Sequence, residues 1–389
     1  MKSLVFRLIR FVLGWLVIKR KNKVVFDSSP DYSDNARAFS DFLLSHSAYN
    51  LYWAVEHPER YYNTDRLSFF QRKGNFWNKI VYVYHTVTAK YLISTHGAFQ
   101  FSNKKNQVYV CCWHGMPLKR IGLLQESNTS QFYLNQANFI LSTSKYYVPI
   151  IAKCFGKEES EILPLGYPRN DWLYYDSDVL QKLGVELKHE EKMIMYLPTF
   201  RKGRDGKFID STKDMFNNTI IDFCTEESLL YWNALLHDLN IKLIVKPHPA
   251  ESNQMSYIRF SNITIVPHYY FQDKDIQLNQ VMHYADAIIT DFSGAFCDYL
   301  NLDRPMAFML ADLEDYKNNR GFVFKNALDY MPGAKITNSE ELKAFLVSVS
   351  KGDDSFAEQR RAVYPVFSDF RDANNCLRLA KYLNLKLHH

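Results

Sequence analysis

"AIITDFSGAFCDYLNLDRP", residues 287–305, decides the fold. Its opening Ala, Ile and Thr residues make a buried strand. Ser293 and Gly294 follow, and Ala295, Phe296, Tyr299 and Leu300 then recur with helical spacing. A strand that ends in small polar residues and runs into a helix is the unit from which parallel sheets are wound. The same alternation continues on both sides. "MIMYLPTF" (193–200), "KLIVKPHP" (242–249), "ITIVP" (263–267) and "PMAFML" (305–310) read as strands. "SLLYWNALLHDL" (228–239) and "QLNQVMHYA" (277–285) read as the helices between them.

A second such series precedes it. "NKVVFDSS" (22–29), "YNLYWAVE" (49–56) and "QVYVCCW" (107–113) are strand-like, and "DNARAFSDFLLSH" (34–46) has helical spacing. "NKIVYVYHTVTAKYLIST" (78–95) predicts helix then strand, and "FILSTSKYYVPIIAKCFG" (139–156) strand then helix, stopped at Gly156. A chain of 389 residues exceeds the size at which one core stops growing, so two series imply two doubly wound α/β domains. The boundaries expected are 23–178 and 186–365, with the charged stretch near 175–192 as linker. Residues 366–389 are expected as a C-terminal helix that packs back on the first domain.

Composition narrows the function. Hydrophobic residues make up 47% and charged residues 23%, as in a globular chain, and the net charge of +5 is too mild for a nucleic-acid binder. The six cysteines have no CxxC pair and no metal-like spacing, which fits a reducing compartment. "DSD" (176–178) and "DKD" (273–275) read as solvated turns, so no metal and no cofactor is expected. The first 22 residues combine apolar side chains with Arg7 and Arg10, and the basic run Lys19, Arg20, Lys21 and Lys23 follows. Central arginines disfavour a span. The segment reads instead as an amphipathic helix on the cytoplasmic face of the membrane, with Phe11 and Trp15 dipping in. A first core helix is the alternative.

Ligands of open parallel sheets bind beyond the carboxyl ends of the strands. The residues there are Trp113-His114-Gly115, Gly166-Tyr167-Pro168-Arg169, Pro198-Thr199, Lys246-Pro247-His248-Pro249 and Asp291-Phe292-Ser293-Gly294. His114 sits where an imidazole can act as general base, worth about 10²–10⁴-fold in rate. Gly115 removes bulk, and Lys119 and Arg120 add positive potential. Pro247 and Pro249 fix the direction of His248. Ser293 and Gly294 open a helix whose free N–H groups suit a phosphate, or Ser293 is a plain N-cap. Asp298, one turn on, reaches a polyol hydroxyl or is a solvated helix residue.

The ordered set "WHGMPLK", "LGYPRND", "YLPTFR", "KPHP", "TDFSGAFCDYLNLDRP" and "DLEDYKNNRGFVF" resembles the CDP-glycerol glycerophosphotransferases of teichoic acid synthesis, over about residues 24–365. The resemblance implies a GT-B-like architecture, two Rossmann-type domains facing a central cleft, with the nucleotide held mainly by the second. It implies attack of an acceptor hydroxyl on the phosphate bearing the glycerol, with release of CMP. The donor is then CDP-glycerol or another CDP-polyol, and the acceptor a lipid-linked saccharide or a polyol-phosphate polymer. His114 and His248 resemble the catalytic pair, either of which could be the base. Trp113, Gly115, Met116, Pro117, Arg169, Pro198, Thr199, Lys246, Pro247, Ser293, Gly294 and Asp298 resemble substrate contacts. Gly294 and Met116 depart from the serine and threonine frequent in the family, which leaves the polyol open. The length leans towards a primase-like or capsule-type enzyme. A glycosyltransferase using a nucleotide sugar is the rival on the same scaffold, and a non-catalytic polysaccharide-binding protein is a more distant one.

Overall fold

The computed structural model describes residues 18–99, 106–125, 136–198, 225–247, 256–311 and 313–388. The chain forms two compact units. The first comprises Met1–Met116, Ile121–Trp172 and Ser368–His389, and the second Pro117–Arg120 and Leu173–Phe367.

In the first unit, β1 (Arg20–Asp27), β2 (Asn50–Val55), β3 (Leu67–Gln71), β4 (Ala89–Ser94), β5 (Val108–Cys111), β6 (Phe139–Ser142) and β7 (Ile162–Pro164) form one sheet in the order β3-β2-β1-β4-β5-β6-β7. Every pairing is parallel. Strands covered on both faces read as unbroken apolar runs rather than as alternation, and Val24, Val25 and Phe26 of β1 are fully buried. Helix α1 (Asp34–His46) follows β1, α2 (Phe76–Thr88) precedes β4, and α3 (Val148–Phe155) ends at Gly156 in the left-handed conformation. Strand order reverses between β1 and β4, which makes their carboxyl ends the natural crevice of this unit.

The second unit repeats the plan. β8 (Lys192–Leu197), β9 (Ile241–Val245), β10 (Ile258–Arg259), β11 (Ile263–Ile265), β12 (Ala287–Thr290), β13 (Met306–Met309) and β14 (Ala334–Ile336) take the order β10-β11-β9-β8-β12-β13-β14. Only the two-residue edge strand β10 runs antiparallel to its neighbour. Ile194, Leu243, Ile263 and Ile289 of this sheet pack with Trp232 and Leu236 of the helix Glu226–Asp238. The buried Thr290 hydroxyl donates to the Leu197 carbonyl at 2.7 Å, so a polar side chain costs nothing in this core.

Three boundaries differ from those read in the sequence. The first unit gives way to the second at Trp172/Leu173, ahead of the charged stretch taken for a linker. The C-terminal helix is Asn375–Tyr382, and its first turn is held on the first unit by Asp171, whose carboxylate accepts from the backbone N–H groups of Asn375 and Cys376 at 2.8 and 2.9 Å. Arg20, Lys21 and Lys23 belong to β1 rather than to a surface helix. Lys19 donates to the Val87 carbonyl and the buried Lys23 to the Thr88 hydroxyl, so two of the four expected headgroup ligands are spent inside the domain. Residues 1–17 of that segment lie outside the described residues.

Candidate active site

In the first unit the site grows from the end of β5. Cys112 still donates to the Ser94 carbonyl at 2.6 Å, but Trp113 turns to φ +57°, a left-handed conformation that a bulky residue rarely adopts. Gly115 follows at φ +152°, accessible to glycine alone without strain. The kink lays the Trp113 ring against that of His114, centroids 4.0 Å apart, and edge-on to Phe155 at 4.6 Å. It presents His114 at the surface of the unit.

A polar network holds this strained loop. Asn35 Nδ2 donates to the Trp113 carbonyl at 2.9 Å, and its Oδ1 accepts from the backbone N–H of Arg169 at 3.1 Å. Arg169 Nη1 donates to both carboxylate oxygens of Asp34, at 2.8 and 2.9 Å, and to the His114 carbonyl at 3.1 Å. Residues held this far from the common backbone regions cost about 1–3 kcal/mol each and persist only where the surroundings over-determine them.

A backbone carbonyl helps to orient the imidazole. His114 Nδ1 lies 3.1 Å from the carbonyl oxygen of Thr95. A carbonyl only accepts, so Nδ1 carries the hydrogen and Nε2 of the neutral ring keeps a lone pair. That is the tautomer a general base needs, and it is set by the backbone just past β4.

Other expected residues fall differently. Met116 is 1% exposed, with the Ser142 hydroxyl 3.9 Å from its sulfur, and Pro117 is buried as well. Their side chains pack the interior, because the kink at Trp113 returns the chain to the core. Lys119 and Arg120 bridge to Phe322 and Gly321 within the second unit, and Arg120 Nε donates to the Phe322 carbonyl at 3.2 Å. Arg169, expected on the donor, directs its Nη1 to Asp34 and the loop of His114.

In the second unit the strand ends carry a cation and backbone groups. Lys246, just past β9, has its ammonium 5.1 Å from the face of Phe271, and burial lowers its pKa to about 8. Pro247 beside it and Pro198 after β8 are buried. His248 and Thr199 lie outside the described residues. After β12, Phe292 stacks on Tyr316 at 4.0 Å, and the Ser293 hydroxyl accepts from the Ala295 N–H at 3.3 Å. The helix opened by Gly294 spans only Ala295–Tyr299 before tightening into a 3-10 turn at Leu300–Leu302. The macrodipole of so short a helix is weak, so attraction for an anion there rests on local N–H groups. Asp298 is 3% exposed, an interior residue rather than one reaching outward, since the position one turn into this helix faces the core. Among the described residues, no group of three His, Cys, Asp or Glu side chains is placed to hold a metal.

The sequence reading missed Asp34, Asn35 and Thr95, whose roles depend on partners far along the chain. It also missed His96, although "STHG" (94–97) repeats the strand, histidine, glycine signature of "CCWHG" (111–115).

Comparison with known proteins agrees with the motif set. The model of the family described as CDP-glycerol:poly(glycerophosphate) glycerophosphotransferase matches residues 9–385. The chain is 26% identical over 392 residues to the teichoic acid poly(glycerol phosphate) polymerase of Staphylococcus epidermidis, covering 90% of this chain and 51% of that protein. It is also 26% identical to the teichoic acid glycerol-phosphate transferase of Staphylococcus aureus, covering 94% and 93% respectively. The chain thus spans about half the length of the Staphylococcus epidermidis polymerase and of the Bacillus subtilis one it also matches. The solved structure of the wall teichoic acid polymerase TagF superposes with a TM-score of 0.78 at 22% identity, covering 98% of this chain and 95% of that one. The fold is therefore GT-B-like.

Proposed function

The chain belongs to the CDP-glycerol:poly(glycerophosphate) glycerophosphotransferase family, and from that premise we propose that it transfers glycerol phosphate from CDP-glycerol to an acceptor hydroxyl and releases CMP. The observation that carries the reading is the Nδ1 contact of His114 with the Thr95 carbonyl, which leaves Nε2 as a base at the surface of the first unit. Nε2 takes the proton of the acceptor hydroxyl, whose oxygen bonds to the phosphorus bearing the glycerol. The bond from that phosphorus to the bridging oxygen breaks, and its electron pair leaves with CMP. Phosphoryl transfer asks the protein for positioning and for charge stabilisation. The second unit supplies these through the cation of Lys246 and the N–H groups at Ser293 and Gly294. His248 joins them on the strength of the motif alone.

The acceptor on this reading is a lipid-linked saccharide or a polyol-phosphate polymer, met at the cytoplasmic face of the membrane. Support comes from α2, which exposes Phe76, Trp77, Ile80, Val81 and Tyr84 and lies beside the start of β1, Arg20 standing 5.8 Å from the Tyr84 ring. Exposed Lys73 and Lys79 add positive charge suited to anionic headgroups. Among the described residues no helix is long and apolar enough to cross a membrane.

The test is turnover with a donor panel. CMP released from CDP-glycerol, with phosphoglycerol found in the product by mass, is the expected result. Release of a nucleoside diphosphate from a nucleotide sugar, without turnover of CDP-glycerol, would make the chain a glycosyltransferase.

A further inference from the structure

The crevice between β1 and β4 holds a second histidine that the transfer step does not use. His96 follows Thr95, the residue whose carbonyl orients His114. Its own carbonyl is fixed by the hydroxyls of Ser94, at 2.5 Å, and Tyr109, at 3.0 Å. Its ring is 31% exposed and points Nε2 at Asp27 Oδ1, 3.8 Å away. Asp27 ends β1, is 1% exposed, and its Oδ1 has no hydrogen-bond partner among the described residues. Arg72 Nη2 approaches that oxygen to 2.9 Å but is turned to donate to Asp31 at 2.6 Å and to the Ser28 carbonyl at 2.7 Å. Glu56 stands 3.6 Å from Arg72 Nη1 and Lys73 3.7 Å from Glu56.

Oδ1 has the Arg72 cation as its charge partner but no hydrogen bond, so it can still take one donor. The 3.8 Å separation from His96 Nε2 is too long for a hydrogen bond, and one oxygen seated to the side of the pair can reach both. Burial, then Arg72, His114 and Lys73, lowers the His96 pKa to about 4, so the ring is neutral at pH 7. Burial raises that of Asp27 to about 8, with Arg72 opposing. An imidazole without charge beside a carboxyl group recognises a hydroxyl, and the nearby Arg72 cation is already paired with Asp27 and Asp31.

We infer that Asp27 and His96 bind the hydroxyl adjacent to the attacking one, so that the acceptor end recognised here is a vicinal diol. The inference rests on the assignment of His114 as the base, since His96 directly follows Thr95, whose carbonyl meets His114 Nδ1. A diol then offers one oxygen to His114 Nε2 and its neighbour to His96 and Asp27.

Two synthetic acceptors separate this from other roles: the dodecyl phosphodiester of glycerol, which ends in a vicinal diol, and that of propane-1,3-diol, which lacks the second hydroxyl. With CDP-glycerol as donor, the diol probe is expected to be used at least about tenfold better in kcat/KM, as for loss of one hydrogen bond to a charged or strongly polar group. In His96→Leu the preference falls towards one through loss on the diol probe alone, and His96→Gln, which keeps a polar side chain, restores part of it. A variant that only misfolds lowers both rates together and leaves their ratio intact. An unchanged ratio in His96→Leu, or equal rates with both probes including no rate with either, overturns the inference while CMP release from CDP-glycerol leaves the proposed reaction standing. A wild-type protein that releases no CMP at all overturns both.

Discussion

The two units share a topology but equip their strand ends differently. In the first, side chains from distant points of the chain, Asn35, Asp34 and Arg169, converge to hold one strained loop and one imidazole. In the second, a desolvated lysine stands against Phe271, and Phe292, just before Ser293, stacks on Tyr316. Precise hydrogen bonding suits a proton transfer, which tolerates little misplacement. Diffuse positive potential suits a diphosphate. The contrast predicts that damage to the first region falls on kcat and damage to the second on KM for the donor.

The largest effect is expected from His114→Ala, a loss of about 10²–10⁴-fold in kcat with CDP-glycerol binding retained in calorimetry. Equal loss of binding and turnover would erase the distinction between the regions. Next comes Arg169→Met, which removes the guanidinium from Asp34 and frees the loop of His114. Its kcat should fall by about 10–100-fold, in line with the loss of charge-assisted hydrogen bonds. Arg169→Lys should not restore the rate, because its side chain is one bond shorter than the arm that brings Arg169 Nη1 to Asp34 and the His114 carbonyl.

The second region responds to pH. The Lys246 pKa is lowered to about 8 by burial, so its charge is present below that pH and is lost as pH rises through it. KM for CDP-glycerol should climb above pH 8 in the wild type and stay flat in Lys246→Met, at a value raised by about tenfold. The smallest effect belongs to Ser293→Ala. Its hydroxyl accepts from Ala295 and behaves as a local turn or cap, worth about 1 kcal/mol, so stability drops slightly and KM changes less than fivefold, about the same energy. A larger change in KM would show that the hydroxyl touches phosphate.

Much of the fold was legible because parallel strands buried on both faces leave long apolar runs, as in β1 and β12. β7, β10 and β14 escaped notice because strands of two or three residues, with Pro164, Arg259 and Lys335 among them, carry no periodicity. β3 was missed for a related reason, its two phenylalanines standing in a polar surrounding. His114 could be found because a histidine between tryptophan and glycine at a strand tip has few structural explanations. Asp34 and Asn35 could not, since they look like ordinary first-turn helix residues and their partners lie more than a hundred positions away at Arg169. Asp298 and Met116 show the converse limit: spacing places them beside the motifs, but facing is decided by packing, and both side chains are buried.

The central claim is that His114 acts through an unprotonated Nε2 while the Thr95 carbonyl holds a hydrogen on Nδ1. Long-range proton–nitrogen correlation spectra of the ring, assigned by comparison with His114→Gln, test this directly. A neutral ring with the hydrogen on Nδ1 and an unprotonated Nε2 is the result expected. A hydrogen on Nε2 in the neutral ring would contradict the account.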